Sequence, residues 1–210
     1  MAPIRRWRGT REASLFSTLP GEAAAGAPQE VVAGESAFRL VRGWLAREEA
    51  DALLEAVRRT TSWTQERRPM YDRIVDVPRE QAWYGDGYGR PLTPELEAVR
   101  RDLEAFTGTR FAYVLLNRYR DGNDSVAWHN DREVTGLRDP IVASVTLGAT
   151  RAFDVRAKAA QSRVISVDLE HGDLVVMGEG AQERFEHRVP KNARIGGDRI
   201  NLTFRQLPSP

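Results

Sequence analysis

The heptapeptide AWHNDRE, residues 127 to 133, sets His129 two positions before Asp131. On an extended backbone, side chains two apart leave the same face with Cα atoms roughly 6.5 Å apart, so an imidazole and a carboxylate there can share one ion. The chain has no cysteine, which excludes a disulfide framework and thiolate metal sites and leaves nitrogen and oxygen donors. A third ligand must come from farther along. His171, in LEHGDLVVM, stands at a Gly-Asp turn and reads as a turn or supporting residue. His187, in RFEHRV, shares a strand face with Phe185 and Val189 and could complete an apolar-walled site. Two histidines and a carboxylate on one face of an octahedron leave three positions open, the ligand set of non-haem Fe(II) oxygen chemistry.

Those residues need elements to hold them. Residues 17 to 36 are rich in Ala, Gly, Pro and Glu without a sustained period, so 1–36 is expected to be a flexible lead-in and 37–210 a single domain. Leu53, Leu54 and Val57 recur at helical spacing, and a second helix is predicted from Thr93 with Pro94 in its first turn, Leu96, Val99, Leu103 and Phe106 inside and Gly108 as its stop. After Arg110 the period changes to two. FAYVLLNRYR, IVASVTLG, RAFDVRAK, RVISVDLE, DLVVM, ERFEHRVP and RINLTFR read as short strands between turns. Helices followed by about eight strands predict a mainly β fold with flanking helices, an antiparallel double sheet or jelly roll. In RINLTFR, Arg199, Asn201, Thr203 and Arg205 share one face and Ile200, Leu202 and Phe204 the other, which marks the polar face as lining a cavity or solvent. GDGYG, residues 85 to 89, lacks the strand-to-helix setting of a phosphate loop and reads as a flexible turn.

Composition sets outer bounds. The 210 residues are 41% hydrophobic and 29% charged with a net charge of +1, so charge alone does not argue for nucleic acid. No apolar run approaches the ~20 residues of a membrane span, and the first residues lack an apolar signal-peptide core. A cytoplasmic or nucleoid-associated monomer with no membrane contact is expected.

NRYRDGNDSVAWHNDRE, PIVASVTLGATRAFDVR, LEHGDLVVM, HRVPK and RINLTFR, in that order and spacing, resemble the AlkB family of Fe(II)- and 2-oxoglutarate-dependent dioxygenases, especially its nucleic-acid demethylating branch. The resemblance runs through most of residues 76 to 207. It implies a double-stranded β-helix (jelly-roll) core over 110–207, with Fe(II), 2-oxoglutarate and O2 as the reacting set. It implies His129, Asp131 and His187 as iron ligands, and Asn117, Tyr119, Arg199, Asn201 and Arg205 as the grip on 2-oxoglutarate. Fork-shaped guanidinium donors suit a small dicarboxylate. Six strand steps separate Arg199 from Arg205, about 20 Å if straight, more than the length of the co-substrate.

The implied reaction is oxidative dealkylation of bases such as 1-methyladenine and 3-methylcytosine in DNA, or in RNA. The segment 59–92 is expected to recognise nucleic acid, because it interleaves Arg67, Arg68, Arg73 and Arg79 with Met70, Tyr71, Trp83, Tyr84 and Tyr88. Tyr88 resembles the aromatic that sandwiches a flipped base against His129, and Glu133 resembles a polar base contact. Arg132 stands where several relatives have an acidic residue, which bears on base preference. The competing readings are the same oxygenase acting on RNA or protein side chains, a non-catalytic jelly-roll nucleic-acid binder, and a zinc hydrolase, which would leave the arginine pair without a role.

Overall fold

The computed structural model describes residues 29–30, 37–70, 72–131, 137, 139–159 and 163–206. Two helices precede most of the strands. α1 (Arg47–Thr60) begins where the Glu49 carboxylate accepts the Ala46 N–H, carries Glu48 and Glu49 in its first turn and ends on Arg58 and Arg59, all favourable to the helix dipole. α2 (Pro94–Thr107) is capped by the Thr93 hydroxyl, has Pro94 in its first turn, and stops at Gly108, whose φ of 67° suits glycine. Both boundaries agree with the sequence pattern.

The strands are β1 (Gln29–Glu30), β2 (Phe38–Val41), β3 (Arg67–Met70), β4 (Arg73–Asp76), β5 (Glu80–Gly85), β6 (Tyr113–Tyr119), β7 (Val126–His129), β8 (Val142–Gly148), β9 (Arg151–Ala157), β10 (Ile165–Leu169), β11 (Leu174–Met177), β12 (Phe185–Val189) and β13 (Arg199–Arg205). A seven-stranded sheet runs β1-β2-β11-β8-β13-β6-β5, a four-stranded sheet runs β10-β9-β12-β7, and β3-β4 form a separate hairpin. All of these pairings are antiparallel. The double-sheet jelly-roll expectation holds.

Two expectations need correction. Gln29 and Glu30, placed in the flexible lead-in, pair with Leu40 and Arg39; the rest of 1–36 lies outside the described residues. Within ERFEHRVP, Glu183 and Arg184 belong to a short helix, α3 (Ala181–Arg184), and the strand begins only at Phe185. Within the segment expected to recognise nucleic acid, β5 pairs with β6 along its whole length, so residues 80–85 join the large sheet.

Alternation along each strand divides the interior into two layers. Val114, Leu116, Val145, Leu147, Ile200, Leu202 and Phe204 point to the helical side, where they pack with Leu53 and Val57 of α1 and Leu96, Val99 and Leu103 of α2. Each fully buried side chain of this kind contributes roughly 1.5–3 kcal/mol. The alternate residues face the gap between the sheets. On the β2-β11 side that gap is filled by Phe38, Leu40, Val175 and Met177 against Phe153, Val155 and Phe185, with Phe38 edge-on to Phe185 at 5.6 Å. On the β13-β6 side the same gap is polar, and the candidate site lies there.

Candidate metal and co-substrate site

His129 ends β7, Asp131 follows two residues later, and His187 sits in the middle of β12, paired across the ladder with His129. Their ligand atoms all lie within 4.8 Å of one another. The two imidazole rings are 4.3 Å apart, and His187 Nε2 is 3.7 Å from Asp131 Oδ2. Nδ1 of His129 lies 2.9 Å from the Ala127 carbonyl. A carbonyl can only accept, so Nδ1 carries the proton and Nε2 keeps a lone pair for a metal.

Electrostatics prepare the same atoms. Burial, then the neighbouring His129, push the His187 imidazole down to about 3 despite the opposing pull of Asp131, so it is neutral at physiological pH. Burial alone would raise the Asp131 carboxyl, but Arg205, with His187 and His129, holds it below the usual carboxylate range. Asp131 Oδ1 accepts from Arg205 Nη2 at 2.5 Å, while among the described residues the buried Oδ2 has no hydrogen-bond partner. An unpartnered buried carboxylate oxygen is costly, and a cation coordinated at that position removes the cost. The three side chains therefore fit a divalent metal.

Arg205 and Arg199 stand at opposite ends of β13, in register with Tyr113 and Tyr119 of β6 respectively. Both are buried, and in each the Nε and Nη1 donors lack partners among the described residues. Arg199 donates to Thr146 Oγ1 at 3.0 Å and Asn201 Oδ1 at 2.8 Å and lies over the Tyr119 ring at 5.4 Å. Burial lowers its pKa to about 10, with Tyr119 opposing, and it remains a cation. The two guanidiniums mark different ends of one buried polar layer, Arg205 beside the candidate metal ligands and Arg199 held by Thr146 and Asn201. Asn201 is fully occupied: its Oδ1 accepts from Arg199, and its Nδ2 donates to Ser144 and Thr203. It holds Arg199 in place. Asn117 Oδ1 accepts from both Arg79 Nε and Gln81 Nε2 at 2.9 Å, which fixes the amide and leaves its Nδ2 as a donor.

The expected nucleic-acid contacts divide. Trp83 and Tyr88 stack at 4.6 Å, Tyr113 lies 5.0 Å from Tyr88, and Arg205 lies 5.8 Å from the Trp83 ring, so an aromatic group adjoins Arg205 and, through it, the candidate metal ligands. Tyr84 is one residue out of phase with Trp83 and is buried in the helix-side core; its assignment to substrate is corrected. Arg79 is not a free phosphate fork, because it turns inward onto Asn117. Arg67 pairs with Asp76 and Arg68 with Glu66 on the exposed hairpin. Tyr71, Arg132, Glu133 and the side chain of Met70 lie outside the described residues. In the turn 85–89, Gly85 N donates to Arg90 O, Asp86 N to Ala112 O and Tyr88 N to Gly85 O. A Cβ at Gly85 would come within 2.5 Å of the Ala112 carbonyl, so only glycine fits there.

Comparison with known proteins bears directly on this geometry. The family model of the 2OG-Fe(II) oxygenase superfamily matches residues 37–205. The alpha-ketoglutarate-dependent dioxygenase alkB homolog 3 of Homo sapiens is 35% identical over 196 residues, covering 84% of this chain and 68% of that protein. The chain belongs to the AlkB family of Fe(II)- and 2-oxoglutarate-dependent dioxygenases. The DNA oxidative demethylase ALKBH2 of Homo sapiens is 33% identical over 156 residues, covering 66% of this chain and 60% of that protein. Among solved structures, OsALKBH1 aligns with a TM-score of 0.58 at 20% identity, covering 81% of this chain and 98% of that one. A 2OG-Fe(II) oxygenase-family oxidoreductase from Burkholderia pseudomallei aligns with a TM-score of 0.57 at 14% identity, covering 81% and 85%. Both show the shared fold.

As an AlkB-family dioxygenase, the protein uses Fe(II), 2-oxoglutarate and O2. Several supporting residues had no signal in the sequence pattern. Ser144 and Thr146 of β8 reach Asn201 and Arg199 only because β8 and β13 are neighbours. Gln81 shares with Trp83 the inward face of β5, and Gln182 of α3 accepts the Asp131 N–H at 2.8 Å. His171, expected at a turn, lies there and accepts from Gly148 N at 2.8 Å.

Proposed function

We propose that this AlkB-family dioxygenase removes N-alkyl groups from nucleic-acid bases such as 1-methyladenine and 3-methylcytosine, and so takes part in repair of alkylated DNA. The reading is supported most directly by one observation: an Asp131 oxygen unpartnered among the described residues and two histidines lie together beside Arg205, whose guanidinium adjoins the Trp83–Tyr88–Tyr113 aromatic group.

Under this reading, His129, Asp131 and His187 hold the iron. Arg205 neutralises the carboxylate end of 2-oxoglutarate nearest the metal, and Arg199, fixed by Asn201 and Thr146, takes the distal carboxylate as a planar fork. Asn117 adds a neutral donor and Tyr119 a wall. With iron bound, the chemistry supplied is O2-dependent decarboxylation of 2-oxoglutarate to succinate and CO2, coupled to hydroxylation of the N-methyl carbon. The N-hydroxymethyl product then breaks its C–N bond to give the free base and formaldehyde. Residues of this chain contribute position, charge and exclusion of water. Trp83 and Tyr88 supply π-faces for an extruded base, and a base whose pairing is blocked by methylation is cheaper to extrude.

The test is a panel of methylated DNA and RNA oligonucleotides incubated with Fe(II), 2-oxoglutarate and O2. Mass spectrometry is expected to show loss of one methyl group from 1-methyladenine and 3-methylcytosine substrates, with succinate and formaldehyde formed alongside. Succinate formation without demethylation of any member of the panel would overturn the base-dealkylase reading.

A further inference from the structure

α3 (Ala181–Arg184) has no role in the reading above, yet it touches both ends of the segment that follows the second ligand. The Gln182 side chain is fully buried. Its Oε1 accepts the backbone N–H of Asp131 at 2.8 Å, and its Nε2 donates to Met177 Sδ at 3.3 Å. Eight residues beyond Asp131, the Asp139 carboxylate accepts from Gly180 N at 2.5 Å and from Gln182 N at 3.3 Å. At the other end of α3, Lys158 Nζ donates to the carbonyls of Gln182 and Glu183. His187 follows three residues after the helix.

A buried N–H without an acceptor is costly, so Gln182 binds Asp131 to one backbone position. The Asp131 carboxylate must also satisfy two demands at once, with one oxygen on Arg205 and the other directed to the ligand cluster. Only a fixed backbone lets a short side chain do both.

We infer that Gln182 is a positioning residue for the iron site, setting the carboxylate ligand through the backbone of Asp131, with Asp139 fixing α3 so that Gln182 stays in place. The inference rests on the assignment of Asp131 to the iron. α3 then ties Asp131 to the start of β12, and so sets the spacing between the carboxylate and His187.

The test uses Co(II) as the probe, titrated into the metal-free full chain and followed by its ligand-field absorption, with thermal unfolding measured in parallel. Gln182→Met keeps length and packing but loses the oxygen; it is expected to weaken Co(II) binding about 10- to 100-fold, the usual cost of removing a group that orients a metal ligand, and to change the absorption envelope. Gln182→Glu keeps an oxygen at the same place and should recover most of the affinity. Asp139→Ala should weaken binding in the same direction and add little on top of Gln182→Met. If Gln182→Met fails to fold, Asp139→Ala carries the test, because Asp139 is partly exposed and its removal leaves no core void. Unchanged affinity and spectrum in the folded variants would overturn the inference, as would an equal loss in Gln182→Glu, which would mean packing alone. Asp131→Ala separates the two levels. If it retains Co(II), the iron assignment fails; if it loses Co(II) while the Gln182 and Asp139 variants keep it, only this inference fails.

Discussion

Arg205 donates to Asp131, whereas Arg199 donates to Thr146 and Asn201, so lysine at the two positions should not have the same effect. Arg199→Lys loses the planar fork at the end away from the metal. It is expected to raise the KM for 2-oxoglutarate roughly tenfold or more, with metal affinity unchanged. Arg205→Lys also removes the partner of the carboxylate ligand, so metal affinity should fall along with 2-oxoglutarate use. Metal titration and initial-rate kinetics on both variants check the distinction; matching behaviour would mean that the two ends are not distinct. Tyr88 is the residue where recognition is most exposed to test. It stacks on Trp83, lies beside Tyr113 and keeps 37% of its surface accessible. Tyr88→Ala should cost about 1 to 3 kcal/mol of oligonucleotide binding, the usual worth of one aromatic–base stack, while Tyr88→Phe keeps the π-face and should be nearly neutral. Decarboxylation of 2-oxoglutarate in the absence of a base should be unaffected by either. Equal loss of coupled and uncoupled turnover in Tyr88→Ala would make the residue a packing group.

β7 is a four-residue strand at the edge of the four-stranded sheet, paired among the described residues with β12 alone, yet it carries His129. Its outer face explains how so short an element is held. Trp128 is flanked by two guanidiniums, Arg156 at 4.1 Å and Arg188 at 4.5 Å from its ring, and those arginines are in turn anchored by Glu186 and Asp154 on β12 and β9. Each such cation–π contact is worth about 0.5–1 kcal/mol at an exposed site. Trp128→Ala should therefore speed amide hydrogen exchange in β7 and β12 while leaving β13 protected; unchanged exchange in β7 would show that the clamp contributes nothing. The ends of the elements differ in how well local sequence marked them. Thr93, Pro94 and Gly108 announced α2, because capping is a matter of a few adjacent residues. α3 gave no such signal, since four residues, AQER, are too few to show a period. β5 looked like part of a recognition arm because its Trp83 and Tyr84 follow an arginine-rich stretch, and side-chain content says nothing about which strand it will join.

The folded molecule as a whole should respond to acid through His187. Its imidazole is neutral down to about 3 in the folded state, against 6.5 for an ordinary histidine. Below pH 6.5 the unfolded chain takes up a proton that the folded chain refuses until about pH 3. Stability of the metal-free protein is therefore expected to fall as pH falls through that window, with a slope approaching one proton. Urea midpoints measured against pH should show a flatter profile for His187→Gln than for the unsubstituted chain, and parallel profiles would contradict the assignment. The same protein shows where local sequence information ends. Period-two alternation put Arg199, Asn201, Thr203 and Arg205 on one face, because side-chain direction along a strand is fixed by the backbone itself, whereas Asp131 lies beyond the end of β7. The sequence by itself therefore determined the polar face and the mainly β class, and marked His129 and Asp131 as a candidate ligand pair that His187 could complete. Which groups complete them was decided by strand order: Arg205 meets Asp131 across 74 residues, Gln182 meets Asp131 across 51, and Arg79 and Gln81 meet Asn117 across 38 and 36. Those contacts depend on which strands become neighbours and how the two sheets face each other. That is settled by packing of the whole chain, and no local pattern encodes it.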